Sequence, residues 1–152
     1  MVFTRGGDSK VVLKALAERN QIENIKITLI TGASLGHDTD GALAHNHALH
    51  KRLPFQVDRT LRKEINNGNV LFVDQHLSKT SDLISNGTFP IDVGVLEVAE
   101  ILEDGHLVPT TSIGNNVAIA ENAQKLIIEI NTSIPKNIRG IHDIYSVNEH
   151  QN

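Results

Sequence analysis

The sequence predicts an α/β fold built on a mostly parallel sheet, and three features support this prediction. Helix-type and strand-type hydrophobic patterns alternate along the chain. Residues 70–73 are apolar at every position, which is typical of a strand covered on both faces. An Asp104-Gly105 pair between two apolar stretches indicates one antiparallel hairpin inserted among the parallel strands.

The first half of the chain has clear boundary signals. Asp8 or Ser9 can cap a first helix, and Asp58 can cap a helix whose end is marked by Gly68. The predicted elements in this half are helices over residues 9–20, 40–51 and 58–67 and strands over residues 25–30 and 70–73.

The second half continues the alternation. Ile91, Val93 and Val95 are expected on one face of a strand over residues 91–98. The other elements predicted here are helices over residues 77–85 and 117–124, the hairpin around Gly105, and a final buried strand over residues 125–130. Because ligands bind beyond the carboxyl ends of parallel strands, residues 31–34 and 74–76 fall where a site is expected.

Composition excludes several classes of protein. Of the 152 residues, 39% are hydrophobic and 21% charged, which is typical of a globular domain. The absence of cysteine excludes disulfides, thiolate metal sites and a Cys nucleophile. A net charge of -4 argues against a nucleic-acid partner. Neither a secretory signal nor an apolar run long enough to span a membrane is seen, so we expect a cytoplasmic protein without a membrane partner.

Four segments carry a resemblance to a known family: residues 31–34 (TGAS), 72–77 (FVDQHL), 109–116 (PTTSIGNN) and 140–145 (GIHDIY). Together they resemble the acetyl-CoA hydrolase/CoA-transferase family, which includes succinate and 4-hydroxybutyrate CoA-transferases. The resemblance runs from Phe3 to about Tyr145 and covers only the front part of such proteins. It implies a single domain over residues 1–152, with the three-layer α/β architecture of the first domain of the NagB/RpiA/CoA-transferase group.

The resemblance also implies a substrate site. The family's T-G-A-S serine faces the substrate pocket, and its P-T-[ST]-S-[VI]-G-N motif lies near it. The residues expected to bind substrate are Gly32, Ala33, Ser34, Thr111, Ser112, Gly114 and Asn115. From spacing alone, residues 31–36 are also consistent with a plain tight turn, and Asn115 with a cap of the following helix.

The activity implied is the transfer of coenzyme A (a cosubstrate) between short carboxylic acids, or the hydrolysis of acetyl-CoA, with no tightly bound cofactor. Family members use a glutamate nucleophile from their second half. We therefore assign no catalytic residue here and expect the isolated chain to be inactive, its catalytic half coming from a partner or a homo-oligomer. The alternative is a non-catalytic relic, or a module of the same fold that binds a small anion or forms an assembly.

Other polar groups are given structural interpretations. Asp74 and His76 share one side of a strand end, but neither they nor His142-Asp143 have a visible nucleophile. No metal site is expected from the histidines at positions 37, 45, 47 and 50, and His47 is expected to pack beside Leu43. The loop of residues 3–10 resembles a Gly-rich family segment and is open to two interpretations, an anion site at a helix N-terminus or a frayed chain end.

Overall fold

Helices and strands alternate along residues 9–142, the part of the chain that the computed structural model describes. The helices are α1 (Val12–Glu23), α2 (Ala42–His45), α3 (Arg59–Asn66), α4 (Ser78–Ser85) and α5 (Asn116–Asn122). The strands are β1 (Ile27–Ile30), β2 (Leu49–Leu53), β3 (Leu71–Phe72), β4 (Ile91–Ile101), β5 (Leu107–Pro109) and β6 (Ala123–Ile130). A π-helical turn (His37–Gly41) leads into α2, and a 3₁₀ turn (Lys136–Ile138) follows β6.

The strands form two three-stranded sheets. The first sheet has the order β1-β2-β3 with both pairings parallel, and the second has the order β5-β4-β6. In the second sheet β4 runs parallel to β6 and antiparallel to β5. Gly105, with φ at 88°, lies in the turn between β4 and β5, a backbone conformation that favours glycine. The α/β fold class, the mostly parallel pairing and the inserted hairpin are confirmed.

An aliphatic core joins the two sheets to the helices. Fully buried leucines come from α1, α2 and α3, namely Leu13, Leu43 and Leu61, and Ile84 and Ile119 extend the core from α4 and α5. These side chains belong to one cluster that also includes residues of β1, β2 and β4. Within the described residues, no helix is long and apolar enough to cross a membrane.

The predicted helix over residues 40–51 is wrong in its second half. The helical segment ends at His45, and His47 adopts a left-handed φ of 54° that turns the chain back. Residues 49–53 then form β2, the central strand of the first sheet, with Leu49 and Leu53 buried. The residues between these leucines are polar, so their sequence does not indicate a strand. Arg52 is buried nevertheless, because it forms an ion pair.

Two predictions of strand burial are also wrong. Leu71 in β3 is 53% exposed, and Leu126 and Ile127 in β6 are 40% and 41% exposed. Both β3 and β6 lie at sheet edges, so one side of each strand has no neighbouring strand among residues 9–142. Of the three residues predicted to share one face of β4, Ile91 and Val95 are buried and Val93 is half-exposed.

The first helix differs from the prediction at both ends. It continues to Glu23 and ends where Asn24 adopts a left-handed φ of 46°. Ser9 does not cap it. Instead the Glu129 carboxylate of β6 accepts hydrogen bonds from the backbone N–H groups of residues 10, 11 and 12, and Ser9 donates its hydroxyl to the same carboxylate. Asp8 lies outside the described residues.

Candidate functional site

The carboxyl ends of β1, β2 and β3 meet at one edge of the first sheet, as the parallel pairing requires. Two hydrogen bonds fix the loops that leave this edge. Thr31 N donates to the Leu53 carbonyl (3.2 Å), and Val73 N donates to the Arg52 carbonyl (3.0 Å). The predicted segments 31–34 and 74–76 therefore emerge from the same edge, on either side of the β2 loop.

A buried ion pair holds the loop that follows β1. Arg52 Nε and Nη2 donate to the two carboxylate oxygens of Asp40 at 2.8 and 3.0 Å, and both side chains are fully buried. Arg52 Nη1 also donates to Thr31 Oγ1 (2.9 Å), and Leu35 N donates to Asp40 Oδ2 (3.1 Å). The pair thus fixes both ends of the loop that carries Gly32, Ala33 and Ser34.

Ser34 connects this loop to the loop that follows β2. Its Oγ accepts a hydrogen bond from Val57 N (3.1 Å) and donates to the Leu35 carbonyl (3.1 Å). Gly32, Ala33 and Ser34 are each partly exposed, so a ligand at the sheet edge could reach them. The side chain of Val57 is half-exposed.

The turn of residues 110–116 links β5 to α5. Thr111 and Gly114 are exposed, Ser112 is partly exposed and Asn115 is buried. The Asn115 side chain does not cap α5, so the capping interpretation is wrong. Its Oδ1 instead accepts a hydrogen bond from Ser81 Oγ of α4 (2.6 Å).

Helix α4 ties this turn to the first sheet. Gln75 Nε2, in the loop after β3, donates to Thr80 Oγ1 (3.0 Å), and the next residue of α4, Ser81, holds Asn115. The turn is therefore brought to the β3 side of the carboxyl edge. Ser34 lies on the β1 side, two strands or roughly 10 Å across the sheet.

Buried polar atoms without a hydrogen-bond partner are concentrated in these loops. Six such side-chain atoms occur in residues 9–142. Three of them, Thr110 Oγ1, Asn115 Nδ2 and Asn116 Oδ1, lie in the 110–116 turn, and a fourth, Gln56 Oε1, lies in the loop after β2. Since buried polar groups are nearly always bonded, this clustering marks the loops as unusual. Sequence alone gives no signal for it.

The histidines near the site have structural partners. His76 Nδ1 contacts Ser78 Oγ at 2.8 Å, which agrees with its structural interpretation. His142 Nε2 contacts the carbonyl oxygen of Thr110 and so ties the chain after β6 to the turn. Asp143, its predicted neighbour in a possible pair, lies outside the described residues, as do residues 3–8 of the Gly-rich loop.

The remaining histidines do not gather around a metal. His37 pairs with Asp58, and His47 Nδ1 lies 3.8 Å from Glu64 Oε2. Within residues 9–142, no group of three or more His, Asp or Glu side chains could hold a metal ion.

Comparison with known proteins identifies the fold and the family. The acetyl-CoA hydrolase/transferase N-terminal domain matches residues 2–150. The chain is 39% identical over 148 residues to a succinyl-CoA:acetate CoA-transferase of Clostridium kluyveri, covering 95% of this chain and 28% of that protein. It is 35% identical over 156 residues to an acetyl-CoA hydrolase of Schizosaccharomyces pombe, covering 95% of this chain and 30% of that protein.

The solved structure of RipA from Yersinia pestis has the same fold. It superposes with a TM-score of 0.67 at 17% identity, covering 88% of this chain and 33% of RipA. This chain thus spans less than a third of the length of the two sequence relatives. The match over nearly all of its residues is sufficient to state that the chain belongs to the acetyl-CoA hydrolase/transferase N-terminal domain family.

Proposed function

We propose that this chain supplies one wall of a pocket for short acyl-CoA thioesters and carboxylates, as part of a CoA-transferase or acetyl-CoA hydrolase. Gly32, Ala33 and Ser34 line it from the β1 side of the sheet edge. Thr111, Ser112, Gly114 and Asn115 line it from the β3 side. Coenzyme A enters as a cosubstrate, and no tightly bound cofactor is required.

The clustering of unpaired polar atoms in the 110–116 turn carries this proposal. Thr110 Oγ1 and Asn115 Nδ2 are hydrogen-bond donors, and a carboxylate or thioester carbonyl needs donors. Leaving each buried group unbonded costs about 1–3 kcal/mol, a cost that persists in proteins mainly where function requires it. Thr110 is fully buried and Asn115 is 7% exposed, so a ligand would reach these donors through the exposed part of the turn at Thr111 and Gly114.

Binding by the isolated chain tests the proposal. We expect acetyl-CoA and succinate to bind in calorimetric titrations, and Ser34→Ala to weaken binding by about threefold to tenfold, because it removes a polar group from the pocket wall. Ser85→Ala, at the exposed end of α4, is the matched control and should bind as the unchanged protein does. Equal affinity in the Ser34 and Ser85 variants, or no binding at all, would contradict the proposed pocket.

A second variant separates ligand contact from a purely structural role. Thr110→Val replaces an unpaired buried hydroxyl with a methyl group of similar shape, so folding stability should stay the same or rise by about 1 kcal/mol. If the hydroxyl serves a ligand, affinity should fall while stability does not. A variant that keeps full affinity would show that this hydroxyl takes no part in binding.

The isolated chain should show no turnover, because the glutamate nucleophile of the family comes from the second half of its members. Four glutamates of this chain, at positions 97, 100, 103 and 129, have other places in the structure. Glu97 is 3% exposed and bonded to Asn131, and Glu129 holds the N-terminus of α1. Glu100 is paired with Arg139, which lowers the pKa of Glu100, and Glu103 lies in the hairpin turn. A CoA-transfer assay with the pure 152-residue protein is the measurement, and steady turnover of acetyl-CoA would refute the prediction.

A second candidate function, as an assembly module, is favoured by the apolar surface of β6. Leu126, Ile127 and Ile130 are 40–52% exposed on a strand whose outer edge has no partner among the described strands. Such edges promote association. We expect a dimer or larger species by light scattering at tens of micromolar, and a shift toward monomer with Ile127→Lys. A monomeric unchanged protein would argue against assembly through β6.

A further inference from the structure

A cleft lies between α1 and the π-helical turn. Its volume is about 700 Å³, which is within the usual size of small-molecule sites. It is closed by α2 and by Thr60 at the start of α3. None of the seven residues assigned to the acyl-CoA pocket lines it, so the proposed function leaves this cleft unexplained.

Basic side chains from three elements and the segment before α1 line this cleft. Lys10 precedes α1, Lys14 lies in its first turn, His37 comes from the π-helical turn and His45 from α2. Lys14 and His45 are exposed and have no ion-pair partner among residues 9–142. Lys10 Nζ lies 3.5 Å from the buried Glu97 carboxylate but remains 64% exposed. The cleft therefore contains side chains that can donate hydrogen bonds to an anion, and two of them, Lys14 and His45, have no acidic partner among residues 9–142.

His37 is held in one orientation by a buried carboxylate. Its Nδ1 lies 2.7 Å from Asp58 Oδ2, and the same Asp58 caps α3 through Leu61 N at 2.9 Å. The ring packs over Gly41, where an added Cβ would come within 2.4 Å of His37 Nδ1. This arrangement commits Nδ1 to Asp58 and leaves Nε2 as the ring nitrogen available to a ligand. Both His37 and Gly41 belong to the π-helical turn, a conformation often found at functional sites.

We propose that this cleft binds a small dianion, either a phosphate-type oxyanion or a dicarboxylate, through Lys14, His37 and His45. Its acidic lining residues, Glu18 and Asp38, limit the positive charge of the cleft. They disfavour long polyanions such as nucleic acid or polyphosphate, whose additional charges would lie against these carboxylates. The ligand is therefore compact, with its charge concentrated at one end.

The site should respond to pH through His37. The charged groups that face this ring are Asp38 beside it, Asp58 of α3, Lys10, Lys14 and Glu18 of α1, while His45 of α2 is a further titratable group. The hydrogen bond from His37 to Asp58 raises the pKa of His37 above its ordinary value, with help from the charge of Asp58. The positive charge of His37 therefore persists to a higher pH than that of an ordinary histidine and is lost as the pH rises through the raised pKa, so anion binding should weaken as the pH rises.

Calorimetric titration of the 152-residue chain with sulfate and with succinate tests the proposal. Sulfate stands in for a phosphate ester but keeps its charge across the pH range used, so any pH effect on its binding belongs to the protein. We expect one of the two probes to bind at about pH 6 and more weakly at about pH 8.5. Lys14→Gln should weaken binding about tenfold, and His37→Gln should remove most of the pH dependence.

Matched controls keep the outcomes distinct. Lys79→Gln removes an equally exposed lysine from α4, outside the cleft, and should change nothing. Ser34→Ala should leave sulfate binding intact, so failure of the acyl-CoA pocket and failure of this cleft can be told apart. If neither probe binds at millimolar concentration, or Lys14→Gln and Lys79→Gln bind alike, the cleft is not an anion site. Because succinate is also expected at the acyl-CoA pocket, its binding counts for the cleft only where Lys14→Gln weakens it and Ser34→Ala does not. If sulfate alone meets this test the ligand is an oxyanion, and if succinate alone meets it the ligand is a dicarboxylate.

Discussion

Asp40→Asn is expected to lower the free energy of unfolding by about 3–5 kcal/mol, because it leaves the Arg52 guanidinium charged and without its counter-ion in the interior. Both side chains are fully buried, and Asp40 accepts two hydrogen bonds from Arg52 and one from Leu35 N. Domains of this size are stable by only about 5–15 kcal/mol, so the variant should be largely unfolded at modest urea concentrations. Urea unfolding followed by circular dichroism measures the change.

A double replacement separates the pair's charge from its packing. Arg52→Met combined with Asp40→Leu fills similar space without charge, and we expect it to recover most of the stability lost in Asp40→Asn. The double variant should nevertheless loosen the 31–35 loop, because Thr31 and Leu35 lose their hydrogen bonds. Its affinity for acetyl-CoA should therefore fall even where its stability is restored.

A loss below about 1 kcal/mol in Asp40→Asn would show that the pair is not buried in solution.

The sequence predicted those parts of the fold whose signals are local. Asp58 caps α3, and Asp104-Gly105 forms the hairpin turn. The strand 49–53 was missed because His50, Lys51 and Arg52 look solvated. Only a partner twelve residues away in sequence makes burial of Arg52 possible. Long-range pairs of this kind leave no periodic signal.

The candidate site likewise has features that local sequence signals predict and features that depend on long-range contacts. The residues expected to bind substrate fall in the loops at 31–34 and 110–116, and parallel pairing explains why the first of these loops lies at a carboxyl edge. The link through Thr80 and Ser81 of α4 could not be foreseen, because it depends on how α4 packs against two separate loops. The cleft beside α1 was not predicted either, since its lining comes from three separate stretches of the chain: residues 10–18, residues 36–46 and Thr60.

The junction between α1 and β6 is another long-range contact, and it changes how the start of α1 should be interpreted. Glu129 Oε1 accepts from Val12 N at 2.7 Å and Oε2 accepts from Lys10 N at 2.9 Å. A helix N-terminus attracts anions through its unpaired N–H groups and its dipole. Here the chain's own carboxylate occupies that position, so the anion-site interpretation of the segment before α1 does not hold at these N–H groups.

Glu129→Gln should lower the free energy of unfolding by about 1–2 kcal/mol at neutral pH, since it removes the charge that the α1 N-terminus stabilises. Partial burial opposes ionisation of Glu129, but the hydrogen bonds from Ser9 and from residues 10–12 outweigh it, and the pKa of Glu129 lies below its usual value. A carboxylate whose pKa is lower in the folded than in the unfolded state stabilises the fold above the unfolded value, about 4.3. This contribution is lost as the pH falls through the folded pKa.

The difference in stability between the unchanged protein and Glu129→Gln should therefore be full at about pH 7 and should shrink as the pH falls below about 4.3 and through the lowered pKa of Glu129. Urea unfolding at several pH values measures it, with Glu121→Gln at an exposed site on α5 as the matched control. Hydrogen exchange gives a local readout, because the amides of residues 10–12 should lose protection before the rest of α1 does. A difference that stays constant with pH would mean that Glu129 acts through packing alone. In that event the contact between β6 and α1 would hold without its charge, and the N–H groups of α1 would be available to an external anion.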